Sequence, residues 1–312
     1  MVPRRRLRSG TQVALAVLAV VGVAGLLTGC GAISDEGSDG RRAVASFYPL
    51  AWVSEQVAGE EWTVTNLTAP GGEPHDLALT IEATAALAES DLVVYLDGFQ
   101  PAVDDAIDAN ASGAILDATE VVELLPLGDH EHAGEDTHGH GEDDPHFWQD
   151  PERMALLAEA VGEQFATLDE AGAAGYRQRA TDLAEGLRTL DREYAEGLAD
   201  CRRDVVVVSH DAFGYLEKYG LHLAPIAGLS PDAEPTPAVL GELSELIRSE
   251  GLTTVFSERL ASSALAETLA TDLGIDTAVL DPVEGLSDET ADADYESLMR
   301  QNLAALQEAN GC

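Results

Sequence analysis

Two uninterrupted apolar runs, LVVYL at residues 92–96 and the four valines of DVVVVS at 204–209, flank a long stretch without proline, residues 171–199, rich in Ala, Glu, Arg and Leu. A strand with no polar face must be covered on both sides, as in a parallel sheet with helices on its two faces. Around the first run, residues 43–47, 62–67 and 113–116 read as further strands. Segments 50–57, 80–90 and 102–109 read as helices, Thr80 serving as N-cap with Glu82 in the first turn. Residues 68–74 (TAPGGEP) form a turn-rich loop. The pattern restarts around the second run, with strands at 221–226, 253–256 and 276–280 and helices at 213–219, 237–250, 262–273 and 295–309. Between the two sets, a helix opens on Pro151, a favoured first-turn residue, and ends near residue 168. Residues 171–199 then form a longer one. Strands alternating with helices predict an α/β protein with mainly parallel sheets. Its two lobes, 43–169 and 201–312, are linked by a long helix, 170–200.

The chain carries 57 acidic and 17 basic side chains, a net charge of −40. Such a chain lacks the Lys/Arg clusters that nucleic acid requires and is repelled by anionic membrane surfaces. Its field concentrates cations. The N-terminus is the exception. Arg4, Arg5, Arg6 and Arg8 precede an apolar run over 13–27 that ends Leu27-Thr28-Gly29-Cys30. This is the layout of a signal peptide, and its end resembles a bacterial lipobox. The expectation is removal of residues 1–29, lipidation of Cys30, a flexible tether over 30–42, and a location outside the cytoplasm, anchored to the cell membrane by lipid alone. Cys201 and Cys312 remain. In an oxidising compartment two such cysteines predict one disulfide.

The histidines carry the chemistry. Of eight, His75 follows the second strand, His146 sits at the mouth of a helix and His210 directly follows a strand. Asp281 follows the last strand. Ligands of open α/β sheets bind beyond the carboxyl ends of the strands, so two facing edges would gather these four in a cleft. Three imidazoles and a carboxylate suit Zn²⁺, which takes N and O donors tetrahedrally at about 2.0–2.2 Å. A harder ion such as Mn²⁺ favours more carboxylate oxygen. His222 lies inside an alternating strand and reads as structural. The acidic loop 129–144 (DHEHAGEDTHGHGEDD) holds His130, His132, His138 and His140. It reads compositionally as a secondary metal-binding tract, weaker than a preformed site because its ligands must be ordered on binding. Glu258, also just after a strand, could replace or supplement Asp281, and Glu73 could act as a supporting partner.

Five segments in order, ASFYPL at 45–50, EPHD at 73–76, HFWQDP at 146–151, SHDAF at 209–213 and LDP at 280–282, resemble those of the metal-receptor lipoproteins of bacterial ABC importers, especially the zinc-specific branch. The resemblance spans essentially all of the mature chain. It implies two α/β lobes joined by a rigid helix, with the ion in the cleft between them held by His75, His146, His210 and Asp281, and Glu258 as a neighbour. Manganese-specific relatives tend to carry a carboxylate at the position of His210, and an acidic His-rich loop is typical of zinc receptors. The implied function is a monomeric, non-enzymatic receptor that captures Zn²⁺ as cargo and delivers it to a membrane permease with its ATPase. The sequence departs from the pattern at residues 76–80 (DLALT), where relatives usually have an aromatic and a Glu-Pro pair before the Thr. Three alternatives stay open: a manganese receptor of the same family, a zinc hydrolase and a surface adhesin. A hydrolase needs an open metal position and a general base, and the chain has no HExxH motif.

Overall fold

The computed structural model describes residues 40–127 and 143–312. The leader, Cys30, the tether up to residue 39, and His130, His132, His138 and His140 lie outside the described residues.

The first lobe runs β1 (Arg41–Ala45), α1 (Tyr48–Ala58), β2 (Trp62–Asn66), α2 (Ile81–Ala88), β3 (Leu92–Tyr95), α3 (Pro101–Asn110) and β4 (Ala114–Asp117). Its four strands are all parallel, in the order β2-β1-β3-β4. A two-stranded antiparallel ribbon follows, β5 (Leu125–Pro126) with β6 (Asp143–Asp144). This differs from the expectation of an unbroken loop through residue 144: its last two residues are paired, and Asp144 is buried. After the ribbon come α4 (Pro151–Leu168) and α5 (Ala173–Leu198). The second lobe runs β7 (Val205–Val208), β8 (His222–Pro225), α6 (Pro237–Glu250), β9 (Thr254–Ser257), α7 (Ala264–Leu273), β10 (Asp276–Val279) and α8 (Tyr295–Asn310). Its parallel sheet has the order β10-β9-β7-β8. The helix expected at 213–219 is a 3-10 turn, Gly214–Tyr219.

Local chemistry sets the helix ends. Asp150 caps α4 by accepting from the backbone N–H of Glu152, with Pro151 at the first position. Thr80 and Thr236 cap α2 and α6 in the same way. Asp294 and Ser297 form a reciprocal capping box on α8, and Gly311, at φ 70°, ends it. The long helix α5 has 26 residues, about 39 Å at 1.5 Å per residue. It buries Tyr176, Ala180, Ala184, Leu187, Leu190, Tyr194 and Leu198, a single stripe at helical spacing. Gly162 lets α4 approach that stripe closely, since a Cβ there would lie 2.5 Å from Cβ of Ala180.

The core is not divided lobe by lobe. One apolar cluster runs from the first sheet through α1, α4, α5 and α8 into the second sheet. Two smaller clusters fill the outer faces, Val44, Leu87, Val93 and Val103 under α2 and α3, and Val207, Leu243, Ile247 and Leu269 under α6 and α7. Each sheet is thus covered on one side by its own helices and on the other by a shared central layer. Cys201 and Cys312 are disulfide-bonded. Backbone bonds from Arg202 and Arg203 to the carbonyl of Asn310 run beside the disulfide. No described helix is long and apolar enough to cross a membrane.

Candidate metal centre

His75, His146, His210 and Glu284 meet at one point, their ligand atoms all within 4.8 Å of one another. Glu284 Oε1 lies 3.5 Å from His75 Nε2, 3.4 Å from His146 Nε2 and 3.5 Å from His210 Nε2. His75 Nε2 and His146 Nε2 are 3.4 Å apart. All four residues are buried. These separations exceed the 2.7–2.9 Å typical of charge-assisted hydrogen bonds. They fit the edges of a tetrahedron, about 3.3–3.4 Å when the bonds to a central ion are about 2.0–2.1 Å. Glu284 Oε1 and His210 Nε2 make no hydrogen bond, so both are left to take up a cation or, in its absence, a proton.

Two of the histidines come from the first lobe and one from the second. His75 lies in the loop after β2. Its backbone N–H donates to Glu73 Oε1 at 2.8 Å, and Gln100 Nε2 donates to the carbonyl of Pro74 at 3.1 Å. His146 follows β6. Asp144 Oδ1 accepts from its backbone N–H at 2.9 Å and from Nδ1 at 2.7 Å, fixing the tautomer that exposes Nε2. Tyr215 Oη, from the second lobe, donates to the carbonyl of Asp144 at 2.7 Å. His210 follows β7, with Nδ1 2.5 Å from Glu258 Oε1, an oxygen that also accepts from Ser209 Oγ. Phe99, Trp148 and Phe213 flank the three imidazoles at centroid distances of 4.7, 5.1 and 6.5 Å. These rings give the cluster an apolar wall.

The carboxylate is a correction to the sequence reading. Asp281, expected as the fourth ligand, is not in the cluster. Its Oδ1 accepts from the backbone N–H of Val283 at 2.8 Å, and its Oδ2 faces Arg259 Nε at 3.1 Å. The chain then turns through Val283 at φ 59°, an unusual conformation for a β-branched residue, and this brings Glu284 inward. Trp148 Nε1 and Gln149 Nε2 both donate to the carbonyl of Pro282, the former at 2.8 Å, and so clamp the turn from the first lobe. Glu258 supports His210 and does not join the ligand atoms. His222 is exposed on β8. Neither Asp144 nor Glu284 stood out in the sequence. An acid two residues before a histidine, and a second acid two residues past Asp-Pro, were the only available signals.

Electrostatics follow from this geometry in the ion-free protein. Burial disfavours charge on His146, but Asp144 and Glu284 overcome it and raise the pKa to about 9. Burial opposes charge on His210 too, and Glu258 and Glu284 raise it to about 10. His75 is pushed down, chiefly by burial. Burial alone would raise Glu284, yet His75, His146 and His210 hold it well below the usual carboxylate range. Glu73 is raised to about 7 by burial and by the charge of Glu284.

Fold and cluster define a bilobal α/β protein with a buried three-histidine, one-carboxylate centre where the lobes meet. The chain belongs to the family described as zinc-uptake complex component A, periplasmic, which it matches over residues 43–309. It is 37% identical over 284 residues to the zinc-binding lipoprotein AdcA of Streptococcus pneumoniae, a match covering 87% of this chain and 56% of AdcA. The chain therefore spans little more than half the length of that relative. It is 31% identical over 299 residues to the high-affinity zinc uptake system protein ZnuA of Bacillus subtilis, covering 91% of this chain and 93% of the relative. The crystal structure of Zn(II)-bound AdcA from Streptococcus pneumoniae superposes with a TM-score of 0.74 at 34% identity, over 88% of this chain and 58% of AdcA.

Proposed function

We propose that the chain is an extracytoplasmic receptor that captures one Zn²⁺ with His75, His146, His210 and Glu284 and delivers it to the permease of an ABC importer. The ion is cargo and undergoes no chemistry. The observation that carries this reading is the convergence of three imidazoles and one carboxylate, with Glu284 Oε1 3.4–3.5 Å from each Nε2, a set of four N and O donors that suits a tetrahedral zinc ion. Family membership and the zinc-binding descriptions of AdcA and ZnuA support the same conclusion. In this reading Cys30 carries the lipid anchor, the receptor is monomeric, and lobes 43–169 and 201–312 flank the linking helix 170–200. His130, His132, His138 and His140 add weaker sites before the cleft. Titration calorimetry of the purified protein with Zn²⁺ and Mn²⁺ tests the proposal. One tight zinc per chain, bound more strongly than manganese, is expected. Tighter manganese binding, or a bound zinc that hydrolyses ester or peptide substrates, would overturn it.

A further inference from the structure

Arg259 pairs with a second buried carboxylate, Asp281, in the turn that carries Glu284 into the metal centre. Asp281 is 5% exposed and belongs to the same turn as Glu284, three residues on. Its Oδ1 is engaged with the backbone N–H of Val283. Its Oδ2 makes no hydrogen bond at all, and its partner is the guanidinium of Arg259, with Nε at 3.1 Å in an ion pair that is not aligned for hydrogen bonding. Arg259 is held in place from outside by Glu289, whose Oε2 lies 3.0 Å from Nη1. So Asp281 Oδ2 keeps its capacity to bind a cation, and a single positive side chain absorbs it. A buried ionised carboxylate deprived of its partner is strongly unfavourable, which favours any cation that comes within its reach.

We infer that Arg259 is a selectivity-determining residue that acts through Asp281: by pairing with it, Arg259 restricts the ion to three nitrogens and one carboxylate. This rests on the reading of the four-residue cluster as the ion site. Four mixed N and O donors favour zinc. A second carboxylate would raise the coordination number and the oxygen share, which suits a harder ion such as Mn²⁺.

The test compares wild type, Arg259→Ala, Arg259→Met, Asp281→Asn and the double variant Arg259→Ala/Asp281→Asn by competition titration with Mn²⁺ and Zn²⁺, and by the visible spectrum of bound Co²⁺. Arg259→Ala should gain about tenfold or more in Mn²⁺ affinity. It should also lose the intense d–d bands of four-coordinate Co²⁺. The double variant should return to wild type in both respects. Arg259→Met, which keeps the length of the side chain, carries the same expectation should Arg259→Ala fold poorly. Mn²⁺ affinity within about threefold of wild type in the folded Arg259 variants, or a gain that persists in the double variant, would overturn the inference. Wild-type protein that takes up no Co²⁺ would instead remove the cluster reading itself, and the inference with it.

Discussion

Nδ1 of His210 lies 2.5 Å from Oε1 of Glu258, both buried just beyond the ends of β7 and β9. The carboxylate holds the tautomer that turns Nε2 toward Glu284 and raises the basicity of that nitrogen as a ligand. Supporting carboxylates of this kind are typically worth 10–100-fold in metal affinity. Glu258→Gln should therefore weaken zinc binding by about 10–100-fold, measured by competition with a chromophoric chelator. Asp144→Asn should do the same through His146. Unchanged affinity in both variants would mean that the imidazoles are held by packing alone.

Protons and zinc compete for the same nitrogens. With His146 raised to about 9 and His210 to about 10 in the ion-free protein, both are charged at neutral pH, whereas His75 is pushed toward the neutral form and Glu284 is ionised. Zinc uptake at pH 7 should release about two protons per ion, read from calorimetry in buffers of different ionisation enthalpy. Apparent affinity should fall as pH drops from about 10, well above the ordinary histidine range. For stability the sign runs the other way. A histidine raised on folding contributes fully below its unfolded pKa, near 6.5, and loses that contribution as pH rises through its folded value. The melting temperature gained on adding zinc should therefore widen between pH 7 and pH 10. Proton release near zero would contradict this.

The disulfide closes a loop with a sequence separation of 111 residues. The chain-entropy estimate for such a loop is about 4–5 kcal/mol. Arg203, whose Nε donates to the carbonyl of Ala309 at 3.1 Å, holds the same end of α8 independently. Replacing both cysteines by serine should lower stability in urea by no more than about 4–5 kcal/mol and leave zinc affinity unchanged, because neither residue touches the cluster. A loss of zinc affinity would show that α8 transmits strain to the turn before Glu284.

Much of this was legible in the sequence, for physical reasons that can be named. The apolar runs at Leu92–Tyr95 and Val205–Val208 are strands because both their faces are covered. His75, His146 and His210 stand where strands end or a helix begins, and the topology turns those ends toward one point. The continuous core was not legible. It depends on how α4 and α5 settle against both sheets, which no local pattern encodes. Glu284 was missed for a similar reason. Position after a strand favoured Asp281, but it is Glu284 that meets the three histidines, past Val283 at its unusual φ, while Asp281 pairs with Arg259. Asp144 was read as part of a loop because a two-residue ribbon leaves no periodicity to detect.

That ribbon defines how the His-rich segment can be removed. Leu125 pairs with Asp144 and Pro126 with Asp143, so deleting residues 130–142 leaves a short hairpin connection and keeps Asp144 on His146. The deletion protein should retain the tight site at unchanged affinity and lose weaker zinc binding, seen as lower stoichiometry at high zinc in a titration beside the parent. Loss of the tight site would mean that the segment supplies a primary ligand.

The most direct test of the account is the zinc affinity of Glu284→Gln set beside that of Asp281→Asn, each confirmed folded by its melting curve. The structure places the first carboxylate among three imidazole nitrogens and the second against Arg259. Glu284→Gln should lose about a hundredfold or more in zinc affinity, since it removes a charged ligand from a buried ion. Asp281→Asn should stay within about threefold of wild type. The reverse ranking, with Asp281→Asn crippled and Glu284→Gln intact, would contradict the assignment of the metal centre.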